Sequence, residues 1–397
     1  MVRTVIRKLL PAAAALALSG AGALAQDIKI AHVYDKTGAL EAYAKQSSIG
    51  FMMGLEYATG GKMEVLGRKI VVIEKDTQSK PDVGKAMLAE AYNDNDAVLA
   101  VGPVNSGVAL AMLPVAQEAK KILLVEPAVA DSITGANWNR YIFRTGRNSS
   151  QDAVSNAVAL GKPGVVIATL AQDYAFGRDG VAAFKAALAG TGAKLAFEEY
   201  AKTDTQDFTA SAQRIFDALK GEQGKKYLFI IWAGANNPMG KIKAMQPERH
   251  GVDIATGGNI LAALKAYKEL PGMEGATYYY YAIPKNPIND WLVAEHQKRH
   301  NGPPDFFTAG GMAAGIAVVE ALKKAGGTDT EKLIAAMEGM EFQTPKGKMI
   351  FRKEDHQALQ SMYHFKIKVD PAVDWGIPEL VRELKIEDMK IPILNKK

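Results

Sequence analysis

Cysteine is absent from all 397 residues. That excludes a disulfide framework, a thiolate metal site and a cysteine-borne lipid anchor, and leaves packed cores as the source of stability. A surplus of one charge is absent as well. The 48 lysines and arginines, three of them in the leader, face 43 acids, and this near balance argues against a nucleic-acid partner. No apolar run approaches the ~20 residues needed to span a bilayer.

Catalytic and nucleotide motifs are missing too. Ser106 follows Gly102-Pro103-Val104-Asn105 without the glycine two places before it that a nucleophile elbow uses for its strained turn. His296 and His300 stand four apart beside Glu295, a spacing able to hold zinc on one helix face. The His-Glu-x-x-His order is absent, however, and so polar a segment reads as a solvated face. Gly310, Gly311 and Gly315 lack the dinucleotide spacing, and no Gly-Lys-Ser/Thr phosphate loop occurs. An enzyme is not expected, and neither is a metal or cofactor.

The N-terminus carries Arg3, Arg7 and Lys8, then an apolar run to Leu18, then small residues ending Ala23-Leu24-Ala25. This is the three-part pattern of a secretory signal peptide over residues 1–25, with cleavage expected after Ala25. The mature chain is expected to be exported and soluble. Its length suits two domains.

From Asp27 onward, short β-branched runs alternate with longer Ala-rich amphipathic stretches, the signature of α/β units on a mostly parallel sheet. Strands are expected at 28–33, 69–74, 97–101 and 122–125, with helices at 48–58, 80–93 and 107–120. A second series begins with a helix at 151–160 and continues with strands at 165–169 and 227–232 and helices at 178–188, 208–219 and 239–245. A strand-like stretch at 276–281 precedes a proline-marked return. Two such lobes facing each other would place a ligand at the carboxyl ends of their strands.

The junction from Gly102 to Gly107 draws attention for this reason. A helix start offers unpaired N–H groups and a positive dipole end, and Asn105 or Ser106 there can contact an anion or merely cap the helix. The two readings are evenly matched on the residues alone.

Local sequences in order along the chain carry a further signal: Thr37-Gly38 before Tyr43, Asp76-Thr77, Lys80-Pro81, the Gly102 to Ser106 junction, Glu126-Pro127-Ala128 and Phe143-Arg144-Thr145. Residues 173–177, Asp207-Phe208, Pro238-Met239-Gly240 and 307–314 complete the series. In this respect the mature chain resembles the periplasmic binding proteins of the leucine/isoleucine/valine type that serve ABC transporters. The resemblance implies two Rossmann-like lobes with mostly parallel sheets, joined by three crossovers near 145–149, 281–284 and 359–363, and closing on ligand in the cleft. Lobe 1 would comprise 26–146 and 282–360, and lobe 2 would comprise 147–281 and 361–397. It also implies a periplasmic monomer that delivers its ligand to a membrane permease.

Pocket positions follow from the same resemblance. Ser106 would hold the ligand carboxylate, Asn105 would adjoin it, and Ala128 would offer backbone contacts. Tyr43, Phe176 and Phe307 would be aromatic walls, though each alone is more often core. Two departures bear on the ligand. Ala130 stands where amino-acid-binding members have threonine, and Thr256-Gly257-Gly258-Asn259 lacks the glutamate that pairs with the ligand ammonium. A buried ammonium without a carboxylate costs several kcal/mol. A nearby acid such as Asp173 could substitute. Ala235, followed by Asn236-Asn237, replaces a tyrosine and leaves neutral hydrogen-bonding capacity. Arg147, just past the first crossover, is an added cation suited to bidentate carboxylate contacts, although a solvated arginine there would be ordinary. Trp232 and the tyrosines at 278–281 could add ring contacts, but a strand end and a core-to-surface alternation explain them better. The expected ligand is a small carboxylate without an α-amino group, with an aromatic or phenylpropenoid acid first. A branched-chain amino-acid receptor and a periplasmic sensor are the rivals.

Overall fold

The computed structural model describes residues 26–395; the signal-peptide expectation lies outside them. In chain order the elements are β1 (Ile28–Tyr34), α1 (Glu41–Ala58), β2 (Glu64–Val65), β3 (Arg68–Asp76), α2 (Pro81–Asn93), β4 (Leu99–Val101), α3 (Ser106–Ala119), β5 (Ile122–Val125) and β6 (Ile142–Arg144). They continue as α4 (Ser149–Leu160), β7 (Val165–Gln172), α5 (Ala175–Leu188), β8 (Lys194–Ala201), α6 (Thr209–Lys220), β9 (Lys225–Ile231), α7 (Met239–Ala244), β10 (Val252–Thr256), α8 (Leu261–Leu264) and β11 (Glu274–Thr277). The last part holds α9 (Pro287–His300), α10 (Phe306–Ala325), α11 (Thr330–Met337), β12 (Glu341–Thr344), β13 (Gly347–Phe351), β14 (Ala358–Leu359), β15 (Met362–Lys368) and β16 (Ile377–Leu384).

The first sheet runs β2-β3-β1-β4-β5-β6 and is parallel except for the β2 hairpin; the second, β10-β9-β7-β8, is wholly parallel. Strands such as β5 and β7 are buried along their whole length because helices cover both faces. An antiparallel sheet β11-β15-β16 flanks the second lobe, and β12-β13-β14 the first. Contrary to the expectation that no segment reaches spanning length, α10 is, alone among the described residues, long and apolar enough to cross a membrane, but 89% of its apolar window is packed inside the protein. It is the central helix of the first lobe's core.

The glycine-rich stretch of α10 has a packing role. A Cβ on Gly50 of α1 would stand 1.9 Å from the Thr308 carbonyl oxygen, and one on Gly311 would stand 2.0 Å from that of Ser47. The α1 and α10 backbones therefore meet at glycine contacts, which fixes where the N-terminus of α10 enters the space between the lobes. The C-terminal tail differs from expectation. Met389 and Ile391 bury with the α10 core, and Arg352 Nη1 donates to the Ile391 carbonyl at 2.8 Å. The tail, expected with lobe 2, thus returns to lobe 1 because its apolar side chains find cover there.

Candidate functional site

At the end of β4 the chain bends at Gly102, whose φ is +124°; a Cβ there would lie 2.0 Å from the Val33 carbonyl oxygen, so glycine is required. The bend delivers the chain to α3. Asn105 is the N-cap, its Oδ1 accepting from the N–H groups of Gly107 (2.8 Å) and Val108 (3.1 Å). That settles the question at this residue in favour of capping, and Asn105 is absent from the cleft lining. Ser106 does line the cleft. Its buried Oγ accepts from the Ala130 N–H at 3.2 Å, leaving the hydroxyl hydrogen to donate beside the positive end of α3.

Ala128 and Ala130 are buried behind this wall and do not line the cleft. The Ala128 N–H donates to the Pro103 carbonyl, the Ala130 N–H to Ser106, and both carbonyls accept from Arg144 Nη1. The backbone contacts expected of Ala128 are therefore spent within the protein, and Ala130, which stands in place of a threonine, is turned away from the cleft.

Arg147 leaves the first crossover and points into the cleft. Only 10% of its side chain is exposed, its Nε donates to Asp152 Oδ1 at 3.1 Å, and its Cζ lies 5.2, 5.0 and 5.8 Å from the ring centres of Tyr278, Phe306 and Phe307. Its two terminal nitrogens make no hydrogen bond among the described residues. A guanidinium held by rings and one carboxylate, with its fork unengaged, is set to grip a planar anion. Burial raises the Asp152 carboxyl above its ordinary range, and Arg147 draws it back down.

Phe306 and Phe307 open α10, where Asp305 caps the helix by accepting from the Phe306 N–H at 2.5 Å. The other Asp305 oxygen accepts from the Leu261 N–H at 3.1 Å, tying the first lobe to the second. Burial pushes this carboxyl up to about 7. The Tyr43 ring of α1 packs against that of Phe307 with centres 4.9 Å apart and planes tilted by 48°, and its hydroxyl faces the Gly234 backbone and the Asn259 side chain of the opposite lobe. Ser132 N–H donates to Asp179 Oδ2 at 2.8 Å, a further contact between lobes. The lobes meet around a cleft of about 910 Å³, part of it open to solvent.

Tyr43, Ser106, Arg147, Phe176, Asn259 and Phe307 all line this cleft. Asn236 does not: it is exposed, in a left-handed turn with φ +56°, a backbone conformation asparagine tolerates. Asp173 is turned outward and paired with Arg178. The acid of the cleft is Asp152, which sequence reasoning missed along with Tyr174 and Phe306. The Asp152 and Asn156 spacing on α4 was the available signal, but a polar i, i+4 pair more often marks a solvated face. The Tyr174 hydroxyl makes no hydrogen bond among the described residues, while Asn156 is spent on the Ala276 N–H and the Asp152 carbonyl.

The lining brings the Arg147 fork and the Ser106 hydroxyl hydrogen together with several rings, an arrangement suited to holding an anion, with Asp152 as its acid. No group of three or more His, Cys, Asp or Glu able to hold a metal occurs among the described residues.

A family model described as periplasmic binding protein matches residues 27–372. The chain belongs to this family. Periplasmic binding proteins of ABC importers bind solutes for transport and are not an enzyme class. A crystal structure of an ABC-type branched-chain amino acid transporter protein from Rhodopseudomonas palustris CGA009 shares 72% identity, covers 94% of this chain and all of that one, and superposes with a TM-score of 0.83. An ABC-transporter solute-binding protein from Rhodopseudomonas palustris BisB5, solved with 3,4-dihydroxybenzoic acid, is 26% identical over 92% of this chain and 99% of its own, with a TM-score of 0.78. The Leu/Ile/Val-binding protein homolog 6 of Brucella melitensis is 25% identical over 369 residues, covering 89% of this chain and 91% of its own.

Proposed function

We propose that this periplasmic binding protein captures a small carboxylate lacking an α-amino group, an aromatic or phenylpropenoid acid, and presents it to a membrane permease. The observation that carries the reading is Arg147, buried among three rings with both terminal nitrogens unengaged. Ser106 at the start of α3 supplies a second donor to the carboxylate. Tyr43, Phe176 and Phe307 surround a ring by offset and edge contacts, with Tyr174 and Asn259 offering hydrogen bonds to a ring substituent. The 3,4-dihydroxybenzoic acid bound by the Rhodopseudomonas palustris BisB5 relative supports this ligand class. The leader at 1–25 supports export to the periplasm, and a monomer suffices for delivery.

Asp152 favours a second reading, an amino-acid receptor in keeping with the name of the Brucella relative. Its carboxylate could pair with an ammonium. Its Oδ1 already accepts from Arg147, however, so part of its charge is neutralised before an ammonium could reach Oδ2. Calorimetry decides between the two. Benzoate, 4-hydroxybenzoate and cinnamate are expected to give saturable heats, and leucine and phenylalanine none. Micromolar leucine binding with every aromatic acid silent would restore the amino-acid reading.

A further inference from the structure

Behind the cleft wall, at the hinge, lies a group of buried charges that the ligand reading does not use. Glu126 follows β5 and precedes Pro127, a lining residue. It is 2% exposed, and neither of its carboxylate oxygens makes a hydrogen bond of good geometry among the described residues, the Thr145 hydroxyl being the nearest side-chain donor. Lys346, in the turn between β12 and β13, is equally buried, and its Nζ also lacks a partner. Carboxylate and ammonium in this state normally cost several kcal/mol each, so a function is to be sought for them.

Geometry connects them to Arg147 through Tyr278. The Lys346 Nζ stands 4.6 Å from the centre of the Tyr278 ring, and the Arg147 Cζ stands 5.2 Å from the same centre. Two cations therefore share one aromatic ring, and like charges so placed repel. Glu126 is their common counter-charge: its electrostatic partners are Lys346 first, then Arg147 and Arg144. The fold makes room for it at Gly310 of α10, where a Cβ would lie 2.3 Å from Glu126 Oε1 and 3.1 Å from the Tyr278 hydroxyl. Burial opposes both ionised forms, raising the Glu126 carboxyl and lowering the Lys346 ammonium to about 8, while each partially restores the other.

We infer that Glu126 and Lys346 are a specificity-determining pair that sets the electrostatic potential at the Arg147 fork, balancing the cleft for an anion of single charge. The inference rests on the proposed carboxylate reading. Arg147 is paired directly with Asp152, and Glu126 offsets the Lys346 charge without a direct ion pair, so attraction for the ligand comes from the fork and from the start of α3. Removing the glutamate charge leaves a surplus cation behind the fork, and removing the lysine charge leaves a surplus anion. In an interior of low effective dielectric such a change acts across a ring's width with little screening.

The test uses the mature protein at about pH 6, where Lys346 keeps its proton, with benzoate as the anionic probe, in four forms: wild type, Glu126→Gln, Lys346→Met and the double variant. Glu126→Gln is expected to tighten benzoate by about tenfold and Lys346→Met to weaken it by about tenfold, the order of effect of a nearby buried charge. The double variant, again balanced, is expected to return to within about threefold of wild type. A purely structural role predicts instead that both single variants lose affinity and that the double loses most; that pattern, or single variants indistinguishable from wild type, overturns the inference. Thermal unfolding of each form identifies a variant that fails to fold, and the remaining single variant with the double then carries the comparison. If the wild type binds no aromatic acid, the proposed function fails on its own account. The pairing is then read without ligand, from NMR titration of carbon-13-labelled Lys346. Glu126→Gln is expected to lower the lysine's midpoint, and an unmoved midpoint overturns the inference.

Discussion

Arg147→Gln removes the charge and one arm of the fork while keeping a polar side chain of similar reach. In the native cleft the guanidinium is buried, bonded through Nε to Asp152 and held over three rings, so a ligand carboxylate reaching its terminal nitrogens would be desolvated on all sides. Truncating one partner of such a pair costs about 2–4 kcal/mol of binding, or roughly 30- to 700-fold in Kd. Part of that loss would come from Asp152, which is left without its cation and faces the ligand as an unpaired acid. The double variant Arg147→Gln with Asp152→Asn separates the two contributions, because it removes the exposed negative charge without restoring the fork. Titration calorimetry with 4-hydroxybenzoate is expected to show a large loss in the single variant and only partial recovery, by about tenfold at most, in the double. Wild-type affinity in the double variant would refute the reasoning, since Arg147 would then serve only to neutralise Asp152.

Two further outcomes follow from the same geometry. Ser106→Ala is expected to weaken carboxylate binding by about 1–3 kcal/mol, the range for hydrogen bonds to charged groups; unchanged calorimetric affinity with a lowered melting temperature would reduce Ser106 to a support for the Ala130 N–H. Asp305 carries a pH signature: its carboxyl is raised by burial from 3.8 to about 7. Between those values the native state holds a proton that the unfolded chain has released, so stability falls as pH rises through the window, by up to about 4 kcal/mol. Asp305→Asn is expected to flatten that slope in denaturant titrations at pH 4 to 7.5, and an equal slope in both proteins would show that other groups set it.

The alternation of strand and helix was legible because parallel strands covered on both faces demand apolar β-branched runs, as in residues 122–125 and 165–169. Strands carrying exposed or charged side chains left no such trace. β8 holds Glu198 and Glu199 at the sheet edge, and β16 is exposed along most of its length, so neither was anticipated. Within the site, positions backed by rings were readable, since Tyr43, Phe176 and Phe307 face the cleft. Polar positions were less so, because an asparagine can serve the backbone or a ligand with the same atoms. Asn105 caps its helix and Asn236 adopts a turn conformation, and only tertiary contacts distinguish those uses from binding. Asp152 carries no mark in the sequence for the converse reason: an acid in the first turn of a helix is ordinary, and only the Arg147 side chain folded against it makes it part of the site.

The location of Arg147 explains why capture and closure would be a single event. It lies between β6 of the first sheet and α4, which packs on the second, yet its guanidinium rests on Phe306 and Phe307, which belong to α10 in the first lobe's core. Ser106 faces it from the start of α3, also in the first lobe. A carboxylate bonded to both residues therefore bridges the hinge and the first lobe, while its ring would meet Phe176 of α5 and Asn259 beyond β10 on the second. Such contacts exist together only when the lobes stand as close as the Asp305 to Leu261 and Ser132 to Asp179 hydrogen bonds hold them. A ligand that binds this arrangement more tightly than an opened one shifts the population toward it by the ratio of the two affinities. The interlobe bonds and the ligand contacts favour the same closed arrangement.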